Sequence, residues 1–405
     1  MRTKLDRSRP FPALVAALAA SAPGGWQSAP PAAQHNFWDL GELPGGAAIS
    51  YAYGISSGGD IIAGESYSAG SSVHGEGVRW RRISPTQWEM KGMGFPAPDA
   101  LNTPAAATAA NGRWIVGRVS FEPPTAPAID TEAYRWGEST GFERLGLPPG
   151  FVITAAWDAN ASGNVVVGYG GPGPGYADLR ALAWTKQGAT WTVSFLEPGV
   201  HSQAVRVDRD GTSTVGWGAS PAAVAAAGGN WDPREAALWR RDASGSVGRT
   251  WLGAAGSTVF QSQAHDVCKV QSSTLVVGTS GDFALGMRPV VWRVGNVGPA
   301  TIAELPLPPG FTSGATGAIS KSGGRIVGTC WDDDFAFEVC VWDLDPMNGG
   351  YAVSILKERL AANGVTAAQN WMLWAAPGIS DDGTMLCGSG NDPNFEERGW
   401  AAELP

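Results

Sequence analysis

Asp158, Arg206 and Asp266 hold the same place in three successive copies of a repeated segment. A guanidinium set between two carboxylates can bind a polar ligand or a cation. The same trio can also be an ion-pair cluster that fixes the register of neighbouring segments, and that is the preferred reading, because structural ion pairs commonly mimic sites. His265, one of four histidines, stands next to Asp266 and reads as a partner in the cluster rather than as a catalytic base.

A second group lies in the most variable stretches. Tyr67, Tyr176, Trp217, Trp231, Phe283, Trp331 and Phe395 stand beside Asp232, Asp282, Asp333, Asp334 and Asp392. Aromatic rings next to carboxylates suit carbohydrate or peptide binding. The run WDDDF (331–335) could offer oxygen ligands to calcium, but three adjacent carboxylates do not point one way, so a solvated loop is preferred and no cofactor is expected. The sequence offers no nucleophile–base pair, no H-E-x-x-H and no phosphate loop. The glycine-rich GYGGPGPG (168–175) has no helix behind it and is not a phosphate cradle. No catalytic residue and no metal ligand can be named.

The elements that must position these residues come from an internal repeat. A short core recurs as AYGISSGGDIIAG (52–64), ATAANGRWIVG (107–117), AWDANASGNVVVG (156–168), AVRVDRDGTSTVG (204–216), AHDVCKVQSSTLVVG (264–278), TGAISKSGGRIVG (316–328) and APGISDDGTMLCG (376–388). Each copy continues to a tryptophan: Trp80, Trp136, Trp184, Trp239, Trp292, Trp342 and Trp400. Most copies then reach a phrase of the type LGLPPG. The unit reads as four short strands: an Ala-led first strand, a turn of Asn, Asp, Ser and Gly, a second strand ending in Gly, a third ending in Trp, and a fourth carrying the phrase. Seven such units predict an all-β fold, a seven-bladed β-propeller. At one fixed place per unit, the tryptophans read as wedges between blades.

The seventh unit stops after its third strand at Pro405, while FWDLGELPGG (37–46), the tail of a unit, precedes the first one. The N-terminal strand is therefore expected to complete the last blade and remove its bare edge. In the first strands, small residues fit near the axis. Two places after the leading Ala stand Gly54, Ala109, Asp158, Arg206, Asp266, Ala318 and Gly378, so these should face the central channel.

Composition agrees with many strands and tight turns: Gly is 56 and Pro 29 of 405 residues. The formal net charge is −9 with no basic run, which is unsuited to nucleic acid or an anionic membrane. Residues 1–22 read as a secretory signal, with four basic residues before an apolar stretch too short to span a bilayer and Ala-x-Ala at 17–19. Residues 23–35 read as a disordered leader, and 36–405 as one propeller domain. No later segment suits a membrane span. The protein is expected to be secreted or periplasmic, and monomeric.

The grammar GIS-x-x-G-x-IVG, A-x-x-W, LG-x-LPGG, present in all seven repeats over residues 37–405, resembles the HAF-repeat extracellular proteins of bacteria. The closing segment LKERLAANGVTAAQNWMLWAAPGISDDGTMLCGSG resembles that family's final repeat, in which a short helix precedes a Trp-containing strand. The His-Ala-Phe signature is replaced here by EAY, RAL, EAA and RGW. The resemblance implies an exported array of β-repeats and no particular activity.

The functional expectation is a secreted, non-enzymatic module that binds carbohydrate or protein through its loop-rich face. The alternative is a propeller enzyme, a glycoside hydrolase or polysaccharide lyase with its site at the channel mouth and acids such as Asp158, Asp266 or Asp334. Of four cysteines, Cys330 and Cys340 flank one hairpin connection and are expected to form a disulfide, with Cys268 and Cys387 as separate buried thiols.

Overall fold

Short apolar runs punctuated by Asn, Asp, Ser and Gly fold into antiparallel hairpins. The computed structural model describes residues 36–404 except 72–74, 122–129, 174–177, 227–232, 243, 256–260, 282–285 and 297. Its strands form five four-stranded sheets and one nine-stranded sheet that carries the second and third repeat units, a β-propeller whose blades are numbered here by repeat unit. Blade 6 shows the pattern, from the axis outward: Ser313–Ile319, Arg325–Trp331, Phe337–Leu344 and Tyr351–Ile355. The other first strands are Gly45–Ile55, Ala105–Thr108, Ile153–Ala159, Ser202–Val207, Ser262–Val270 and Met372–Ile379. Each packs against the first strands of the blades on both sides, which closes the ring. Blades 2 and 3 share one sheet through a parallel pairing of Ile153 with Thr131.

The closure works as the sequence implies. Strand Phe37–Asp39 pairs antiparallel with Glu397–Glu403 and becomes the outer strand of blade 7. Phe37 and Trp38 are buried there, Phe37 edge-on to Trp371 at 5.2 Å between ring centroids. A helix, Leu356–Ala362, links blade 6 to blade 7 and buries Leu356 and Leu360.

The seven repeat tryptophans are wedges. All are buried, and six of them lie below 2% exposure. The LPPG-type phrase supplies the acceptor for several: the indole N–H donates to Leu40 O from Trp80 at 2.7 Å, to Gly146 O from Trp184 at 3.0 Å, and to Pro306 O from Trp342 at 2.7 Å. In each case the carbonyl belongs to the connection that leaves the preceding blade. Two separate sequence markers are therefore the two halves of one inter-blade contact.

The glycine that ends each second strand has an equally direct cause. Every first strand carries a register shift opposite it, such as Ala156/Asp158, Ala204/Arg206 and Ala264/Asp266. This bulge drives a first-strand carbonyl into the neighbouring backbone. A Cβ on Gly64 would lie 1.8 Å from Tyr51 O, on Gly216 2.0 Å from Gln203 O, and on Gly328 2.1 Å from Ala315 O. Only glycine fits.

Among the described residues no helix is long and apolar enough to cross a membrane.

Candidate functional site in the central channel

The bulge decides what faces the axis. The extra residue in each first strand leaves the ladder, and the next one turns toward the channel. A cavity of about 200 Å³, at the end of the channel where the turns between first and second strands lie, takes one such residue from each blade into its lining: Gly54, Ala107, Asp158, Arg206, Asp266, Ala318 and Gly378. Six of the seven match the expected channel positions. Blade 2 is corrected: Ala105 pairs with Gly117, so Ala107, not Ala109, takes the place, and Ala109 is buried in the core. The segment PAAATAA offers several alanines at workable spacing, and only the pairing selects one.

Asp158, Arg206 and Asp266 are brought together, on adjacent blades. Their bonding differs from a simple ion-pair cluster. Asp158 Oδ2 accepts from the Val207 amide of the next blade at 2.9 Å. Asp266 Oδ1 accepts from its neighbour Val267 N, and Oδ2 from Ile319 N of blade 6, both at 2.8 Å. Each carboxyl thus staples its blade to the following one. Arg206 donates to Trp157 O of blade 3 at 3.4 Å and to Pro377 O of blade 7 at 3.2 Å, so its guanidinium crosses the channel.

Burial dominates the electrostatics. It pushes the Asp158 carboxyl up to about 6, against the pull of Arg206 and the Val207 amide; Asp266 adds to the rise. Asp266 is raised by the same desolvation. His265 is the extra residue of the blade 5 bulge. Its Nδ1 lies 2.6 Å from Thr316 O of blade 6. Burial and the Arg206 charge hold the ring below the ordinary histidine range, although the Thr316 carbonyl pulls the other way.

The turns between first and second strands border the cavity. Asp381 N donates to Ser57 O at 3.0 Å, Ser57 N to Ala110 O at 2.9 Å, and Ala161 N to Arg209 O at 3.0 Å, so successive turns are tied together. Arg209 pairs with Asp381, and Lys269 with Asp208 at 2.9 Å and Asp210 at 3.1 Å.

The loop-face residues do not assemble into a comparable site. Trp217 is buried in the second strand of blade 4, its indole donating to Gln203 Oε1 at 3.0 Å. Trp331 is buried at the end of a second strand against Phe337, 5.8 Å between centroids. Asp392 is buried, and its Oδ1 accepts from Asn394 N at 2.8 Å and Glu396 N at 2.9 Å to build a turn. All three are expected on exposed loops; the second strands carry Trp217 and Trp331 further past the closing glycine than the variable sequence suggests, and Asp392 is buried by the turn it builds. Tyr67 is half-buried in a second strand. Asp333, Asp334 and Phe395 are exposed, with Asp333 accepting from Thr312 Oγ1 at 2.7 Å. In WDDDF, Asp332 Oδ1 accepts from Asp334 N at 3.0 Å and Ala336 N at 2.9 Å, which makes this run a turn. Tyr176, Trp231 and Phe283 lie outside the described residues.

Cys330 and Cys340 are two free buried thiols rather than the expected disulfide. The register places Glu338 opposite Cys330 and Gly328 opposite Cys340, so the cysteines are diagonal neighbours. A hydrogen bond between the thiols, with burial, pushes Cys340 well up. Cys268 and Cys387 are also free and buried.

No family model and no curated protein matches the chain. Solved structures do. The β-propeller domain of the trilobed protease from Pyrococcus furiosus is 8% identical over 89% of this chain and 96% of that one, with a TM-score of 0.52. That propeller has an open velcro topology, whereas strand Phe37–Asp39 closes the ring here. A prolyl endopeptidase is 12% identical with a TM-score of 0.50; the match covers 88% of this chain and 50% of that one, so this chain spans about half its length. TolB from Acinetobacter baumannii is 12% identical over 81% of this chain and 76% of that one, with a TM-score of 0.40. At these identities the likeness shows the fold, a β-propeller. The reading as a binding module that uses its loop-rich face is corrected, because Trp217, Trp331 and Asp392, which that face would need, are buried.

Proposed function

We propose that this chain is an exported propeller enzyme that cleaves polysaccharide in its central channel. The observation that carries the reading is Asp158, a buried carboxyl lining the cavity and pushed up to about 6, beside Arg206. A carboxyl that keeps its proton up to about pH 6 can give it to the oxygen of a breaking glycosidic bond, as a general acid in mildly acidic solution. The cavity is below the roughly 300–1,000 Å³ of most small-molecule sites, so it suits the end of a sugar chain rather than its middle. Export is supported by the N-terminal sequence pattern and by the resemblance to HAF-repeat proteins. The reading needs no cofactor. The fold neighbours supply a second substrate class, peptides.

The test is incubation of the protein with a panel of neutral and acidic polysaccharides and of proline-containing peptides, scoring new reducing ends or amines. General acid catalysis contributes about 10²–10⁴-fold, so Asp158→Asn should cut sugar release by at least about 100-fold. No sugar release on any polysaccharide, or release by D158N at the wild-type rate, overturns the reading. Cleavage of peptides alone would move it to the second class.

A further inference from the structure

The fifth repeat turns differently from its neighbours. Its core runs over 264–278, two residues longer than the copies at 204–216 and 316–328. In blades 4 and 6 the chain turns two residues after the channel position, and a side chain there closes the turn. Asp208 Oδ1 accepts from Thr212 N at 2.8 Å, and Ser320 Oγ from Arg325 N at 3.0 Å. Blade 5 has Cys268 at that place, a poor acceptor. The ladder therefore runs on to Val270, which pairs with Ser273 across a two-residue turn. The first turn residue, Gln271, has a φ of 54°, left-handed backbone that is strained for anything but glycine. A Cβ on Gly323 of the blade 6 turn would lie 2.7 Å from Leu275 Cδ1 and 3.1 Å from Val270 Cγ2, so that turn seats against the blade 5 hairpin. Beside the hairpin lies a notch of about 470 Å³, lined by Lys269, Val270, Gln271, Lys321, Ser322 and Asp381. Lys269, Lys321 and Asp381 also line the channel cavity, so the notch adjoins it.

Two charged groups of the notch are already paired. Lys269 holds Asp208 at 2.9 Å and Asp210 at 3.1 Å, and Asp381 holds Arg209. Lys321 is the exception. Its backbone N–H goes to Asp381 O at 3.2 Å, but its ammonium has no ion pair or hydrogen bond among the described residues. The Gln271 amide is likewise without a partner there, and both side chains are exposed. A free ammonium is a point charge for an anion. A free amide both donates and accepts, as sugar hydroxyls require. The notch falls within the roughly 300–1,000 Å³ of most small-molecule sites, which the channel cavity alone does not. We propose that the notch is a binding subsite for an acidic sugar unit, with Lys321 on its carboxylate and Gln271 on its hydroxyls, and that it leads an acidic polysaccharide into the channel. This rests on the reading of the channel as a polysaccharide-cleaving site, and it names the substrate class. A neutral polymer would leave Lys321 unpaired, and a cationic one would meet like charge. The strained turn has a reason on this account: glycine would relax it but would take the amide from the lip.

The experiment titrates the full chain by calorimetry with trigalacturonate, with maltotriose as the neutral sugar and with triglutamate as a carboxylate without a sugar. In parallel it follows reducing ends released from polygalacturonate and dextran. The expected result is binding of trigalacturonate alone. Lys321→Met keeps the length of the side chain and removes the charge; it should weaken that binding by at least about 10-fold, the worth of a charge-assisted hydrogen bond, at an unchanged melting temperature. Gln271→Gly should weaken it by about 3-fold while raising the melting temperature, because glycine adopts the turn without strain. A Q271G protein that binds as the wild type overturns the part given to Gln271. Maltotriose or triglutamate bound as tightly as trigalacturonate, or K321M binding as the wild type, overturns the subsite, and the cleavage reading then stands if either polymer still releases reducing ends. Trigalacturonate held through Lys321 with neither polymer cleaved overturns the cleavage reading and leaves the subsite.

Discussion

Replacing Asp158 by Asn measures the property on which the channel chemistry depends. The carboxyl sits at about 6 in the folded protein against an ordinary 3.8. That is a shift of about 2 units, and at ~1.4 kcal/mol per unit it amounts to ~3 kcal/mol. A raised carboxyl means that, between those two values, the folded state keeps a proton that the unfolded state has released. Stability from this group is therefore fully present below pH 3.8, falls as pH rises through about 6, and is flat above. Asn cannot ionise and still offers an oxygen to the Val207 amide. The unfolding free energy of D158N minus that of the wild type should thus climb by ~3 kcal/mol between about pH 3.5 and pH 7.5. Urea denaturation followed by tryptophan fluorescence, in steps of about half a pH unit, gives the difference curve. Everything else that titrates in both proteins largely cancels in it. A curve that stays flat across the window would show that Asp158 ionises as an ordinary carboxyl and is no acid at neutral pH. A falling curve would show that Arg206 outweighs burial.

His265 is held below its usual range, so its contribution has the opposite slope: stability should fall as pH drops below about 6.5, and H265N should flatten that limb of the same titration. Starting the chain at Gly46 rather than Gln34 removes the outer strand of blade 7 and exposes the Glu397–Glu403 edge; the expected outcome is a lower melting temperature and aggregation, and an equal melting temperature would refute the closure. Gly328→Ala puts a methyl 2.1 Å from Ala315 O and should cost at least about 1–3 kcal/mol, whereas Gly173→Ala, with open space around it, should stay within about 0.5 kcal/mol in the same denaturation assay. Trp342→Ala empties the wedge between blades 5 and 6 and should cost about 3–5 kcal/mol, with Trp342→Phe losing less because one aromatic ring stays and only part of the indole volume and the bond to Pro306 O go.

Much of the fold is legible in the sequence because repetition reports the same local physics seven times. The closing glycines, the tryptophans and the LPPG-type phrases each recur at one place; the glycines admit a first-strand carbonyl within their own blade, and the tryptophans and phrases prove to be the two parts of an inter-blade contact. The stray phrase at 37–46 could be read as the missing strand because a ring has no other use for it. Asp158, Arg206 and Asp266 could be placed on the channel because they share a repeat position. What the sequence could not decide depends on which residue pairs with which. Strand pairing chose Ala107 over Ala109 from an alanine-rich run, and it extended the second strands to bury Trp217 and Trp331. The bulge between Ala264 and Asp266 lifted His265 out of the ladder and set its ring on a carbonyl of blade 6. Residue types and spacing express local preference. Register, burial and the ionisation of Asp158 arise between segments far apart in the chain, and only the closed ring brings those segments together.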